Sequence, residues 1–172
     1  MTGGLGAAAA ALAVMEGRAP RSAALPSVAA ALARARDPQP RLREGRALAG
    51  AGVSAMIDVS DGLAVDAGHI GRASGVRLAI RLAELPLAEG VREVAAELDE
   101  PPWRLAAGGG EDYELCFCAP AGARERIERV LAALGGAAVT WIGSVGADGE
   151  PGAAFSDERG EDVRIEGYEH RW

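Results

Sequence analysis

Apolar residues recur at helical spacing in several parts of the chain, and glycine or proline follows most of these segments. In residues 63–74, for example, Leu63, Ala67 and Ile70 fall on one face and Gly75 follows. The same reasoning, together with the high helix propensity of alanine, predicts the remaining helices. We expect helices at residues 7–16, 27–36, 41–51, 63–74, 91–98 and 120–134.

Strand patterns lie between these helices. Residues 76–82 alternate aliphatic side chains with Arg77 and Arg81, which predicts a half-buried strand with its arginines on the solvated face. The apolar run at residues 53–59 predicts a buried, central strand. Further strands are expected at residues 113–119, at 138–145 and in a hairpin of 153–156 with 163–165. Because helices and strands do not alternate regularly, we predict an α+β fold with a mixed β-sheet covered by helices.

An acidic turn follows the strand at residues 53–59. The sequence Asp58-Val59-Ser60-Asp61-Gly62 puts two carboxylates around a serine, directly before the helix that starts at residue 63. Helix N-termini offer backbone N–H groups to anions, and aspartate oxygens are ligands that Mg²⁺ prefers. The turn therefore suits a metal and phosphate site, although a serine or aspartate here could simply cap the helix. These residues alone leave both interpretations open.

A second acidic segment lies at residues 108–112. It reads Gly-Gly-Gly-Glu-Asp and immediately precedes the strand at residues 113–119. Three glycines give the backbone unusual freedom, so the segment could be an ordinary surface turn. The recurrence of an acidic pair beside a strand nevertheless favours a functional role.

Composition and charge narrow the classes of partner. The chain has 172 residues and a formal net charge of −7, which argues against a surface that binds nucleic acid or anionic membranes. Every basic residue other than histidine is an arginine, so no lysine can bind a phosphate or form a Schiff base. A bound phosphate would need arginine, backbone amides or a metal held by carboxylates. We expect no targeting or membrane-spanning segment, because the alanine-rich residues 7–15 are too short and too weakly apolar.

Two cysteines and one histidine are candidates for other chemistry. Cys116 and Cys118 share one face of a predicted strand, but no second cysteine pair or nearby histidine completes a metal site, so we expect them to pack in the core. Two cysteines give no disulfide framework, which favours a reducing cytoplasm. His69 lies three residues after Asp66, and we expect it to have a helix-surface or helix-packing role.

Three segments together resemble bacterial thiamine-monophosphate kinase, in the order and spacing of that family. They are Ile-Asp-Val-Ser-Asp-Gly-Leu at 57–63, Gly-Gly-Glu-Asp-Tyr-Glu-Leu at 109–115 and Thr-Gly-Gly-Leu-Gly-Ala-Ala at 2–8. The residues just before the first motif resemble the lead-in of the family, and Gly167-Tyr168-Glu169-His170 resembles its C-terminal end.

This resemblance covers only the C-terminal half of the family protein. It implies that residues 1–172 form one domain with the C-terminal fold of aminoimidazole ribonucleotide synthetase-like proteins. The N-terminal domain of the family, which binds ATP and several magnesium ions through its own aspartates and forms the dimer, has no counterpart in these residues. The glycine loop at the start would then match the junction of the two domains, and the full-length protein is expected to be a homodimer.

The family transfers the γ-phosphate of ATP to thiamine monophosphate, giving thiamine diphosphate. By resemblance, Asp58 and Asp61 are Mg²⁺ ligands, Ser60 contacts ATP and Glu111 contacts the thiamine phosphate. No catalytic residue is assigned, because phosphoryl transfer asks the protein for positioning and charge neutralisation rather than a nucleophile. This chain alone is expected to be inactive.

Two further questions stay open at this level. Tyr168 matches the aromatic position that packs on thiamine, but Trp172 competes for that role because the chain ends His-Arg-Trp where the family more often shows His-Phe. The substrate could also be that of a related superfamily member, such as aminoimidazole ribonucleotide synthetase, selenophosphate synthetase or a hydrogenase maturation protein. A third alternative is a non-catalytic binding or assembly module.

Overall fold

A computed structural model describes residues 1–135 and 138–165 of the chain. The helices are α1 (Ala7–Met15), α2 (Pro26–Arg36), α3 (Leu42–Gly50), α4 (Leu63–Ser74), α5 (Val91–Glu97), α6 (Pro102–Gly108) and α7 (Arg124–Ala133). The strands are β1 (Ala55–Asp58), β2 (Arg77–Arg81), β3 (Leu115–Cys118), β4 (Gly143–Gly146), β5 (Gly152–Ser156) and β6 (Asp162–Val163).

The strands form two sheets. One has four strands in the order β4-β2-β5-β6, with β2 and β5 parallel and the other neighbours antiparallel. The second is an antiparallel pair of β1 and β3. This arrangement confirms the predicted α+β class with a mixed sheet, and β5 and β6 confirm the predicted hairpin.

Helix α4 covers the four-stranded sheet and positions the first acidic turn. Its residues Leu63, Ala67 and Ile70 are buried in the main core together with Leu78 and Ile80 of β2. The helix approaches β5 so closely that a Cβ on Gly71 would overlap the carbonyl oxygen of Gly152. Gly75 ends the helix in the left-handed conformation, with a φ of 65°, as predicted.

Two further apolar clusters surround the main core. One joins α1, α2 and α5 through small and aliphatic side chains, including Ala10, Val28 and Val94. The other packs α3 and α7 against Phe117 of β3. Among residues 1–135 and 138–165, none of the helices has the length and apolarity that crossing a membrane would require.

Two predicted strands differ from the structure, and one helix was not predicted. The strand predicted at residues 138–145 is reduced to β4, which begins at Gly143, while Val139 forms only an isolated bridge with Thr2. The strand predicted at residues 53–59 is not central or fully buried: β1 pairs with β3 alone in the described residues, and its side chains alternate between half-buried and exposed. Helix α6 was not predicted, because it is only seven residues long and lies between a proline pair and the glycine run. The predictions for β2 and for Cys116 are confirmed, since Arg81 is exposed and Cys116 lies in the main core.

Candidate functional site

The two acidic segments lie directly against each other. The backbone N–H of Glu111 donates to the carbonyl of Ser60 at 2.8 Å, and the N–H of Tyr113 donates to the carbonyl of Val59 at 2.9 Å. These two bonds extend the pairing of β1 with β3 into the turn that precedes α4. The fold thus joins two motifs that are about fifty residues apart in the sequence.

Glycines make this close approach possible. A Cβ on Gly110 would overlap the Ser60 carbonyl oxygen, and a Cβ on Gly62 would lie 3.0 Å from the carbonyl oxygen of Gly108. Gly62 also has a φ of 106°, which residues with side chains rarely adopt. The second segment is strained as well, because Glu111 and Tyr113 have positive φ values of 63° and 51°. Non-glycine residues in this conformation are concentrated at functional sites.

Four of the residues predicted to bind ligands reach the surface of this paired turn. Asp58, at the end of β1, and Glu111 are exposed, while Ser60 and Asp61 are half-buried. The structure therefore brings Ser60 and Glu111 together through their backbones, with Asp58 and Asp61 on the same turn. Tyr168 and Trp172 lie outside the described residues.

Asp66 fixes the backbone of the first acidic turn through hydrogen bonds. Its side chain is buried, and its Oδ2 accepts hydrogen bonds from the backbone N–H groups of Ser60 and Asp61, both at 3.0 Å. Burial raises the pKa of Asp66, although these two hydrogen bonds act in the opposite direction. The N–H groups of Ser60 and Asp61 thus have an acceptor within the protein, so a bound phosphate would have to use N–H groups further along the first turn of α4.

The alternative that a serine or aspartate caps α4 is not borne out. The N-cap residue of this helix is Gly62, which has no side chain to accept a hydrogen bond. Neither Ser60 nor Asp61 occupies the N-cap position. His69, on the same helix, is exposed with its Nδ1 3.3 Å from an Nη of Arg72, as expected for a surface residue.

Sequence reasoning did not single out Asp112, which ties the second acidic segment to helix α1. Its carboxylate accepts hydrogen bonds from the backbone N–H groups of Gly6 at 2.6 Å and Ala7 at 3.1 Å. Asp112 therefore supplies the N-terminal acceptor that Gly6, the N-cap residue of α1, cannot provide. Burial raises the pKa of Asp112 to about 6, against the opposite effect of these hydrogen bonds and of Arg34.

Glu114, two residues after the second acidic segment, is another carboxylate that sequence reasoning missed, and it is fully buried. It accepts hydrogen bonds from Thr2 Oγ1 at 2.6 Å and from Arg41 Nε and Nη2 at 2.9 and 2.7 Å, and it forms an ion pair with Arg34. Burial acts to raise the pKa of Glu114, but hydrogen bonds from Arg41 and Thr2 and the two positive charges lower it overall. The sequence held one indication of this cluster. Glu114 lies two positions before Cys116 on a predicted strand, so both side chains should point to the core. A buried carboxylate needs a positively charged partner, and the basic residues of this chain other than histidine are arginines.

The carboxylates of the first acidic turn are too few to surround a metal ion, but enough to hold one that also binds the phosphates of a ligand. Within residues 1–135 and 138–165, no group of three or more His, Cys, Asp or Glu side chains is arranged to hold a metal. Mg²⁺ commonly uses only one or two carboxylates, with water and phosphate oxygens completing its octahedron. Asp58 and Asp61 supply two carboxylates on the same turn.

Comparison with known proteins shows the family of this chain. The family described as AIR synthase related protein, C-terminal domain, matches residues 1–155. The chain belongs to this family. The match includes β1 to β4 and most of β5, and therefore both acidic segments.

The relatives of this AIR synthase related chain include thiamine-monophosphate kinases. The chain is 43% identical over 136 residues to the thiamine-monophosphate kinase of Escherichia coli (strain K12). The aligned region covers 77% of this chain and 40% of that protein. Its fold is similar to that of thiamine-monophosphate kinase from Stenotrophomonas maltophilia K279a, with a TM-score of 0.79, 33% identity, and coverage of 94% of this chain and 49% of that one.

A third similar structure is AaThiL complexed with AMPPCP and TMP, with a TM-score of 0.78, 28% identity, and coverage of 99% of this chain and 50% of that one. The chain thus spans half or less of the length of these relatives.

Proposed function

We propose that this chain is the substrate-side domain of a thiamine-monophosphate kinase. The complete protein would transfer the γ-phosphate of ATP to thiamine monophosphate, giving thiamine diphosphate. The observation behind this proposal is the pairing of the two acidic segments by the bonds from Glu111 to Ser60 and from Tyr113 to Val59. The names of the relatives favour thiamine monophosphate over the substrates of other superfamily members.

The first acidic segment suits the nucleotide side of the reaction. Asp58 and Asp61 would hold Mg²⁺ that also binds the ATP phosphates, and the half-exposed hydroxyl of Ser60 would contact ATP. When bound, the ion would neutralise the charge that develops on the transferred phosphoryl group. The buried Asp66 would keep the turn in this conformation, since its carboxylate accepts hydrogen bonds from the N–H groups of Ser60 and Asp61. The complex of AaThiL with AMPPCP supports a nucleotide role for this fold.

The second acidic segment suits the substrate side. Glu111 is exposed, its backbone is in the left-handed conformation, and its N–H donates to the Ser60 carbonyl, so its side chain extends from a fixed point beside the first acidic segment. Because this backbone is already ordered, only the side chain would lose conformational entropy when a substrate binds.

Residues 1–172 would act together with an N-terminal half that supplies the rest of the ATP site. This follows from the proposed kinase activity and from the share of the relatives that the chain spans. We infer that the assembled kinase is a homodimer, as the family resemblance implies. We also infer that it works in the cytoplasm, in line with the free thiols of Cys116 and Cys118.

A fusion protein tests the substrate role of Glu111. The part of the Escherichia coli (strain K12) kinase that precedes its similarity to this chain would be joined to Met1, and thiamine diphosphate formation measured with ATP and Mg²⁺. Glu111→Gln should raise the KM for thiamine monophosphate about tenfold, with a smaller effect on the KM for ATP. Glu150→Gln, the same change at another exposed glutamate, is the matched control. An unchanged KM for thiamine monophosphate would contradict the assignment.

A further inference from the structure

The peptide group that joins Asp112 to Tyr113 is held at both of its polar ends. Its N–H, which belongs to Tyr113, donates to the Val59 carbonyl at 2.9 Å, and its carbonyl oxygen, which belongs to Asp112, accepts from Arg34 Nη2 at 3.3 Å. The N–H and the carbonyl of a trans peptide point in opposite directions. The first acidic turn therefore fixes one side of this peptide group, and Arg34 of α2 fixes the other.

The backbone around this peptide group is strained. Glu111 and Tyr113, on either side of Asp112, both have positive φ values. Non-glycine residues keep this conformation only where the surrounding structure imposes it. The hydrogen bond from Glu111 to Ser60 holds the first of these residues, and the two bonds of the peptide group hold the second. Without the bond from Arg34, the backbone on both sides of Asp112 would be less constrained.

A buried carboxylate in turn holds the guanidinium group of Arg34. The nitrogen that bonds to the Asp112 carbonyl, Nη2, also donates to Oε1 of Glu114, which is fully buried. Arg41 binds the same carboxylate through Nε and Nη2, and in the described part of the chain its hydrogen bonds go to Glu114. Of the two arginines, Arg34 is therefore the one that connects Glu114 to the backbone next to Glu111.

We propose that Arg34 is a positioning residue for the substrate. It fixes the backbone from which Glu111 extends, so that the exposed carboxylate of Glu111 meets thiamine monophosphate in one orientation. The hydrogen bonds of Arg34 go to Asp112 and Glu114, so its effect on Glu111 passes through the backbone. The inference rests on the proposed function, since Arg34 has this role only if Glu111 binds the substrate. Loss of Arg34 should weaken the binding of thiamine monophosphate and not that of ATP.

Amide hydrogen exchange in the 172-residue chain tests the structural step on its own. In Arg34→Ala, the N–H of Tyr113 should exchange at least about tenfold faster, relative to the amides of α4, because local opening of its peptide group costs less free energy. Arg41→Ala is the matched control, since it removes the other arginine from Glu114 and leaves the bond to the Asp112 carbonyl in place. Equal exchange at Tyr113 in the two variants would overturn the proposal.

Kinetics of the fusion protein described above test the link to the substrate. Arg34→Ala should raise the KM for thiamine monophosphate about tenfold and change kcat and the KM for ATP less than about twofold. Arg41 still pairs with Glu114 in this variant, so the buried carboxylate keeps a positive partner. In the control, Arg41→Ala, the KM for thiamine monophosphate should change less than about twofold.

Two outcomes of these kinetics have different meanings. An unchanged KM for thiamine monophosphate in Arg34→Ala, in a fusion that is active without the substitution, would overturn the role of Arg34 alone. A fusion that forms no thiamine diphosphate even without the substitution would contradict the proposed function, on which the substrate role of Arg34 rests.

A double variant separates an effect through Glu111 from a general loss of packing. If Arg34 acts through Glu111, adding Glu111→Gln to the Arg34→Ala fusion should raise the KM for thiamine monophosphate less than about twofold further, because residues that act together are not additive. Independent effects would instead multiply. A further rise of about tenfold, as large as that of Glu111→Gln alone, would overturn the proposal.

Discussion

At the scale of single residues, Asp112 of the second acidic segment and Glu114, two residues after it, are buried carboxylates with opposite pKa shifts. The pKa of Asp112 is raised to about 6 mainly by burial, whereas that of Glu114 is lowered because arginine hydrogen bonds outweigh burial. Asp112 is thus costly to keep ionised, and Glu114 is costly to neutralise. The exposed Glu111 thus stands next to two carboxylates whose hydrogen bonds are made within the protein.

Replacing Glu114 with glutamine should destabilise the chain by about 3 kcal/mol. The substitution keeps the shape of the side chain but leaves Arg34 and Arg41 without their shared negative partner, and breaking a buried pair costs about that much. Chemical denaturation compares this variant with Glu89→Gln, the same change at an exposed residue. Equal stability of the two variants would show that the cluster contributes little.

The pH dependence of stability should reveal Asp112. Its folded-state pKa of about 6 lies above the ordinary aspartate value, so the folded state gains a proton as the pH falls. The free energy of unfolding of the unsubstituted chain should therefore rise, relative to Asp112→Asn, by about 1 kcal/mol between pH 7.5 and pH 5. The contribution is lost as the pH rises through 6. Parallel stability curves for the two proteins over this range would contradict the assignment.

At the scale of elements, the site depends on how the turn before α4 meets the glycine run after α6. The ends of α4 and the alternation of β2 follow from local pattern, because glycine at a helix end and period-two burial are local properties. The partners of Glu114 are not local, since Arg41 is 73 residues away and Thr2 is 112 residues away. A sequence pattern can indicate that such a buried charge needs a cation, but only the fold selects which arginine supplies it.

Gly110→Ala should separate the two acidic segments. The added Cβ meets the Ser60 carbonyl, which is backbone and cannot rotate aside. We expect a loss of about 2 kcal/mol in the free energy of unfolding. Gly50→Ala, in α3, is the control, because a Cβ there has nothing within 4 Å and alanine favours helix. Equal stability of both variants would contradict the close approach described here.

At the scale of the whole molecule, the candidate site is an exposed surface rather than an enclosed cavity. Asp58 and Glu111 are exposed, and the described residues provide no third carboxylate to complete a metal site with Asp58 and Asp61. The sequence motifs predict ligand-binding roles for these residues through their resemblance to a family, and those roles stay predictions. Because the site is open to solvent, a ligand bound here would need contacts beyond those that this surface provides. The chain spans about half the length of its relatives, whose other half could supply such contacts.

The most direct test of the proposed function is phosphoryl transfer by the fusion with the N-terminal part of the Escherichia coli kinase. The 172-residue chain alone should form no thiamine diphosphate from γ-labelled ATP and thiamine monophosphate with Mg²⁺, whereas the fusion should form it. Asp58→Asn in the fusion should lower kcat/KM at least about 100-fold, because the proposed Mg²⁺ ligand is lost. Asp148→Asn, at another exposed aspartate, should leave it unchanged. Product formation by the Asp58→Asn fusion at the unsubstituted rate would contradict the account.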